Sequence, residues 1–258
     1  HLVIGKSEDG TAEVAEQIGQ EAGVKVWTGA PLGIYPAMNW ILERLDSEAF
    51  VWFLNSSDFF LYEHVLGDMA SILAKGENMW GTSGFLVARD SGQISSVNLA
   101  PMPWKVKDVA HQATCVKVQV LRDAGGFDTD FQIFADGKVM RKVMKDFRPG
   151  VLGQVTIAYM EGGFSGKHPL IATRELRRLD RQYPLEGGSR ESRIKIHQLA
   201  RGAAAAAIGR VDELLGTQLM LNFRRNLNET DLNVLHSQPH WNHGPIPVMD
   251  LTCCLNRL

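Results

Sequence analysis

Apolar and polar positions along the first 150 residues fall into blocks whose period switches between that of a strand and that of a helix. Residues 2–4 are a short apolar run that breaks into the polar turn 5–11, and TAEVAEQIGQEAG then keeps helical spacing as far as Gly23. Ser7 or Asp9 is placed to cap that helix. Residues 25–27 read as a second short strand. A Gly and Pro loop follows to Leu32, then a helix over about 37–45 with Met38, Ile41, Leu42 and Leu45 at its apolar positions. FVWFLNSSDFFLY, residues 50–62, is a buried type of strand that ends abruptly in Asn55, Ser56, Ser57 and Asp58, and an amphipathic helix covers about 64–75. Residues 79–102 turn to short strands with Gly and Ser breaks, as in an antiparallel excursion at one edge of a mixed sheet. Residues 111–118 read as a further strand, 120–124 as a short helix stopped by Gly125 and Gly126, and 136–145 as a helix.

This β, α, β, α alternation predicts an α/β fold: a mixed, mostly parallel sheet with helices on both faces. Ligands in such a sheet belong at the carboxyl ends of the strands, which is where the reading puts Asp58. Beyond residue 166 the character changes. Residues 167–225 carry twelve Lys or Arg against six Asp or Glu on segments with helical spacing. Three parts are therefore expected: a sheet domain over 1–166, a basic helical extension over 167–226, and a loose tail over 227–258.

The 258 residues suffice for a large buried core, and a formal net charge of −2 gives a nucleic-acid partner no support. Cys115 and the adjacent Cys253 and Cys254 make no disulfide framework, which points to a reducing compartment. No stretch has the length of a transmembrane helix and the first residues do not read as a signal peptide, so a soluble cytoplasmic protein is expected. Asn55 and Asn228 fall in glycosylation sequons that are read as chance. The tail's HSQPHWNH and Cys253–Cys254 offer metal ligands on paper. Adjacent cysteines seldom share one zinc, however, and Pro239 and Pro245 interrupt the histidines.

A carboxylate among small polar residues at a strand end is a common ligand for a hard cation or a diphosphate, and turn or helix capping is the plain alternative for Asp58. The neighbouring motifs weigh on that choice. In order along the chain they are GIYPAMN from Gly33, the Asp58 segment, HQATCVK from His111, GGFDTDF from Gly125, the Asp136 that ends FAD, and GGFSG from Gly162. The ordered series, over about the first two thirds of the chain, resembles family 2 of the glycosyltransferases. Within it the chain looks most like the bacterial branch that builds capsule, exopolysaccharide and O-antigen units on a GT-A fold.

The resemblance implies a metal-dependent, inverting transfer from a nucleotide-diphosphate sugar, a UDP-sugar foremost, to a lipid-linked or glycan acceptor. Asp58 matches the family's last acidic position in the metal motif, for Mg²⁺ or Mn²⁺, and Ser57 stands where many members carry another Asp. Asp136 matches the base that takes the acceptor proton. That base is expected to be partly desolvated among Ile133, Phe134 and Ala135, with its pKa raised toward working pH. Helix capping is its other reading. His111 matches a histidine that faces the site. Ser7, Asp9 and Thr11 match a nucleotide-binding turn, and Gly33, Tyr35 and Asn39 match the loop and helix start under the nucleotide. A pair of carboxylates also suggests a glycosidase, but the ordered series does not fit one. GGFSG is expected to be a flexible loop. The basic extension suggests peripheral contact with the inner membrane surface, with a solvated helical face as the alternative.

The chain departs from the family at three places. Ile4 stands where an Asp contacts the base, Pro36 replaces a usual Asp, and the family's first strand, with its Tyr-Asn turn, has no counterpart. A strand missing there leaves an inner sheet edge exposed and the chain N-terminally truncated relative to the family. A catalytically weakened relative that binds nucleotide or partner proteins is therefore the alternative function.

Overall fold

The computed structural model describes residues 1–75, 78–89, 93–100, 105, 108–160 and 162–186. The chain divides into two units, His1–Ile196 and His197–Leu258, and the second lies wholly outside the described residues. So do most of the expected basic extension, all of the expected tail, and the histidine and cysteine cluster within it.

Strand β1 (Leu2–Gly5) and strand β2 (Val26–Ala30) form a two-stranded parallel sheet, joined by helix α1 (Thr11–Ala22). Helix α2 (Ile34–Leu42) follows β2 and turns Tyr35, Met38, Ile41 and Leu42 inward, an i, i+3, i+6, i+7 stripe that explains its formation despite Pro36. Pro36 sits in the first turn, where the missing N–H is not needed, so the helix starts three residues before the expected position.

Among the described residues the second sheet has six strands. Its path runs β3 (Phe50–Trp52), β7 (Thr114–Lys117), β5 (Trp80–Ala88), β8 (Gly150–Met160), β4 (Phe59–Phe60), with β6 (Ile94–Asn98) beside the outer half of β5. The α/β class stands, but the expected predominance of parallel pairing does not hold. Only β1–β2 and β5–β8 are parallel among the described residues, whereas β3–β7, β4–β8, β5–β6 and β5–β7 are antiparallel. The Gly and Ser residues of WGTSGFLVA, read from sequence as breaks in short edge strands, belong to one continuous, almost fully buried central strand. They are close-approach positions: a Cβ on Gly81 would lie 2.4 Å from the Met69 sulfur.

Helix α3 (Val65–Lys75) packs on this sheet through Met69 and Leu73, which join Cys115 and Leu152 in one core cluster with Trp52 and Ile72 against it. Burial pushes the Cys115 thiol up to about 12. Helix α4 (Val118–Asp123) and helix α5 (Ala135–Asp146) follow β7. The short α6 (Phe164–Lys167) and the longer α7 (Pro169–Gln182) follow β8. The GGFSG segment thus opens a four-residue helix, with Gly163 at its N-cap, instead of forming an open loop. Helix α7 buries Ala172, Thr173, Glu175, Leu176 and Leu179. No described helix is long and apolar enough to cross a membrane.

Candidate active site

Asp58 does not sit on the tip of β3. That strand ends at Trp52, and Asp58 closes the following loop, immediately before the two-residue β4. Its backbone N–H donates to the Asn55 carbonyl at 3.0 Å, and its Oδ1 accepts the Met160 amide at the end of β8 at 3.4 Å. The residue is 9% exposed, and its Oδ2 is buried with no hydrogen-bond partner. Burial holds its pKa above the ordinary carboxylate value, against the opposing pull of the Met160 amide, the nearby His111 and Asn55. A buried carboxylate oxygen without a donor is an expensive arrangement, and a cation is one of the few groups that satisfies it.

Asp136 lies in the first turn of α5. Its Oδ2 is 2.7 Å from His111 Nδ1, and its Oδ1 accepts the Tyr35 hydroxyl at 3.0 Å. His111 opens the 3-10 turn His111–Ala113 that precedes β7. That turn is held by the Trp52 indole N–H, which donates to the Gln112 carbonyl at 2.5 Å. The other ring nitrogen of His111 is 3.5 Å from Asn55 Nδ2. Asn55 therefore connects the two carboxylates: its backbone braces Asp58 and its amide reaches the histidine that binds Asp136.

The expectation of a raised Asp136 pKa is not met. Burial pushes it up, but the hydrogen bond and charge of His111 outweigh burial, with help from the Gly137 amide and the Tyr35 hydroxyl, and the carboxyl sits below its ordinary value. With the shared proton on His111 Nδ1, an uncharged imidazole would carry its lone pair on Nε2.

Tyr35 and Asn39, expected beneath a nucleotide, turn their polar atoms toward the segment that carries Asp136. The Tyr35 hydroxyl lies within hydrogen-bond reach of both Asp136 Oδ1 and the Ile133 carbonyl, sharing its one proton between them, and its ring stacks on Phe127 at 5.8 Å. Asn39 makes a reciprocal pair with the Phe127 backbone, donating at 2.7 Å and accepting at 2.8 Å. Gly126, at φ +64°, makes that pair possible, because a Cβ there would lie 2.8 Å from Asn39 Oδ1. Gly126→Ala is accordingly expected to lower stability by about 1–3 kcal/mol, which urea denaturation of the two proteins would read. An unchanged midpoint would mean that the Asn39–Phe127 pair does not constrain this turn.

Of the remaining expected residues, Ser57 is exposed beside Asp58, and Ser7, Asp9, Thr11 and Gly33 are exposed at the edge of the two-stranded sheet. Asp9 accepts both the backbone N–H and the hydroxyl of Thr11, so it closes the turn before α1 and its pKa is lowered by those bonds. Among the described residues no hydrogen bond joins this turn to the Asp58–Asp136 group. Two participants escaped the sequence reading. Asn55 was visible only as a turn residue in a sequon. Glu175 was one charge on a basic helix, although its place in the 172, 175, 176, 179 apolar stripe of α7 was the available signal.

Among the described residues no group of three or more His, Cys, Asp or Glu side chains could hold a metal by itself. A cavity of about 700 Å³ lies elsewhere, between α4, α5 and the end of α7, lined by residues that include Arg141, Lys142, Lys145 and Tyr183. The charge chemistry around Asp58 and Asp136 lies outside that lining, and geometry rather than cavity size marks the candidate site.

No protein-family model matches the chain. It is 30% identical over 217 residues to an uncharacterized glycosyltransferase of Mycobacterium tuberculosis, found in strains CDC 1551 and H37Rv, with 78% of each chain covered. Among solved structures it is similar to S. aureus TarS 1-349, with TM-score 0.50, 14% identity, and coverage of 87% of this chain and 67% of that one. It is also similar to the mannosyltransferase PcManGT from Pyrobaculum calidifontis, in complex with GDP-Man and Mn²⁺, with TM-score 0.52, 15% identity, and coverage of 86% and 72%. It spans 60% of the TarS 1-349 chain solved with UDP, at TM-score 0.47. The likenesses to TarS without UDP and to PcManGT establish a shared α/β fold.

Proposed function

This chain belongs to the glycosyltransferases, and we propose that it is a metal-dependent, inverting enzyme that moves a sugar from a nucleotide-diphosphate donor, a UDP-sugar foremost, to a lipid-linked or polysaccharide acceptor. One observation carries the reading. Asn55 and His111 link Asp58, with its buried and unpartnered Oδ2, to the ionised Asp136 at one end of the sheet.

The two carboxylates suit different tasks. Asp58 is the residue that would hold Mg²⁺ or Mn²⁺, with donor phosphate oxygens supplying ligands that the described residues do not, as is usual for Mg²⁺. When bound, the ion would neutralise charge on the leaving diphosphate. At the other side, Asp136 and His111 act as one proton-accepting pair. The acceptor oxygen forms its bond to the anomeric carbon, the bond from that carbon to the diphosphate oxygen breaks, and the nucleoside diphosphate leaves with the electron pair. The acceptor proton passes to the pair, where Asp136 stabilises the charge that develops on the imidazole. A single displacement inverts the anomeric carbon. Tyr35 and Trp52 touch the pair or its turn and keep it oriented. Ser7, Asp9, Thr11, Gly33 and Ser57 remain our assignments for the nucleotide side. The excess of basic residues over 167–225 suits an acceptor with an anionic diphosphate or lipid headgroup.

A thermal-shift titration tests the donor reading. UDP with Mn²⁺ at about 100 times its Kd is expected to stabilise the protein by about 2.7 kcal/mol, and UDP without the cation by much less. Stabilisation by UDP that is indifferent to Mn²⁺ would favour a nucleotide-binding relative, and no stabilisation by UDP or GDP would refute the donor assignment.

A further inference from the structure

Helix α5 carries Asp136 but has no side-chain cap of its own: its N-cap residue, Phe134, makes no side-chain capping bond. The segment that leads into it is held from another helix. Glu175 of α7 is 7% exposed and accepts three consecutive backbone N–H groups, from Gln132 at 2.7 Å, Ile133 at 2.9 Å and Phe134 at 3.2 Å. The Ile133 peptide is thus held from both sides. Its N–H is bound by Glu175 and its carbonyl accepts the Tyr35 hydroxyl, the same hydroxyl that reaches Asp136.

We infer that Glu175 is a positioning residue for transfer: from α7 it fixes residues 132–134, and through them it aims Asp136 at His111. A carboxylate receiving three amide hydrogens makes charge-assisted bonds that a neutral side chain cannot reproduce. Glu175→Gln keeps the volume but sets its amide NH₂ against one of the three donors. The role rests on the functional reading above, because positioning has meaning only if Asp136 and His111 take part in catalysis.

The test has two arms. In a transfer assay, Glu175→Gln is expected to lower kcat about 10- to 100-fold with donor KM within about twofold, since misplacement of the pair affects proton removal and not donor binding. In the second arm, ¹⁵N chemical shifts of His111 are read at alkaline pH, where the ring is neutral. The wild type is expected to hold its proton on Nδ1, and Glu175→Gln to redistribute it toward Nε2. Glu175→Asp, which keeps the charge but shortens the reach, is expected to shift in the same direction by less, and it replaces the Gln variant if that protein does not fold.

A lowered melting temperature with kcat and tautomer both unchanged would overturn the inference and leave Glu175 as a structural brace of residues 132–134 only. A tautomer shift in a protein that transfers no sugar from any nucleotide donor would uphold the positioning and overturn the transferase reading instead.

Discussion

Asp58→Asn is expected to lower metal-dependent transfer by about 10³-fold or more while making the protein more stable than wild type at neutral pH. The first effect follows from loss of the carboxylate proposed to hold the cation, whose electrostatic contribution at the leaving group is worth several kcal/mol. The second follows from Oδ2, which is buried and receives no hydrogen bond. The folded pKa of Asp58 lies above its ordinary value of 3.8 because burial penalises the ionised form. Its contribution to stability is therefore fully present below 3.8 and is lost as pH rises through the folded value. Above that value the wild type bears a buried charge that the variant lacks. A gain on the order of 1 kcal/mol is expected at neutral pH, shrinking to nothing in acid. A transfer assay with Mn²⁺ reads the first effect, and calorimetric melting across pH, with and without Mn²⁺, reads the second. A variant that is less stable at neutral pH and still responds to Mn²⁺ would remove Asp58 from the metal assignment.

Asp136→Asn is expected to lower kcat by about 10³-fold with donor KM nearly unchanged. The substitution takes away the anion that accepts the His111 Nδ1 proton at 2.7 Å, so the ring loses both its fixed tautomer and the charge that would stabilise its protonated form. Here the stability effect has the opposite sign. The folded pKa is depressed by His111 against the effect of burial, so the carboxylate contributes stability above its ordinary value of 3.8, and that contribution is lost as pH falls through the lower folded value. The Asn variant should therefore melt below wild type at neutral pH. Single-turnover transfer with donor bound beforehand isolates the chemical step, and full turnover in this variant would contradict the base assignment. Two Asp→Asn changes in one site are thus expected to move stability in opposite directions while both suppress transfer.

The sequence displayed the elements better than their arrangement. Helices α1, α3 and α5 were legible because their apolar spacing is regular and they end near Gly23, Lys75 and Asp146. Strand β5 was misjudged because Gly and Ser carry no hydrophobic signal. What makes them fit the centre of a sheet, the approach of Met69 to Gly81, exists only after α3 has packed. At the site, Asp58, His111 and Asp136 stood out through ordered motifs. The work of Tyr35 and Asn39 did not, because each bonds to a partner 88 to 101 positions away. Glu175 was hidden for another reason: its three partners are backbone amides, which have no sequence identity to read.

The pairing of β8 has a consequence for how this protein comes into being. Asp58 precedes by 102 positions the residue whose amide donates to its Oδ1, Met160, and β4 beside it pairs with nothing but β8 among the described residues. A nascent chain that has emerged only as far as residue 149 already holds Asp58, His111 and Asp136, but it lacks the strand that closes β4 and the free flank of β5. Loop closure across so long a separation is slow, and until it happens those edges stay open to wrong partners. Those edges therefore persist until β8 docks, and the bond from the Met160 amide to Asp58 forms only with it.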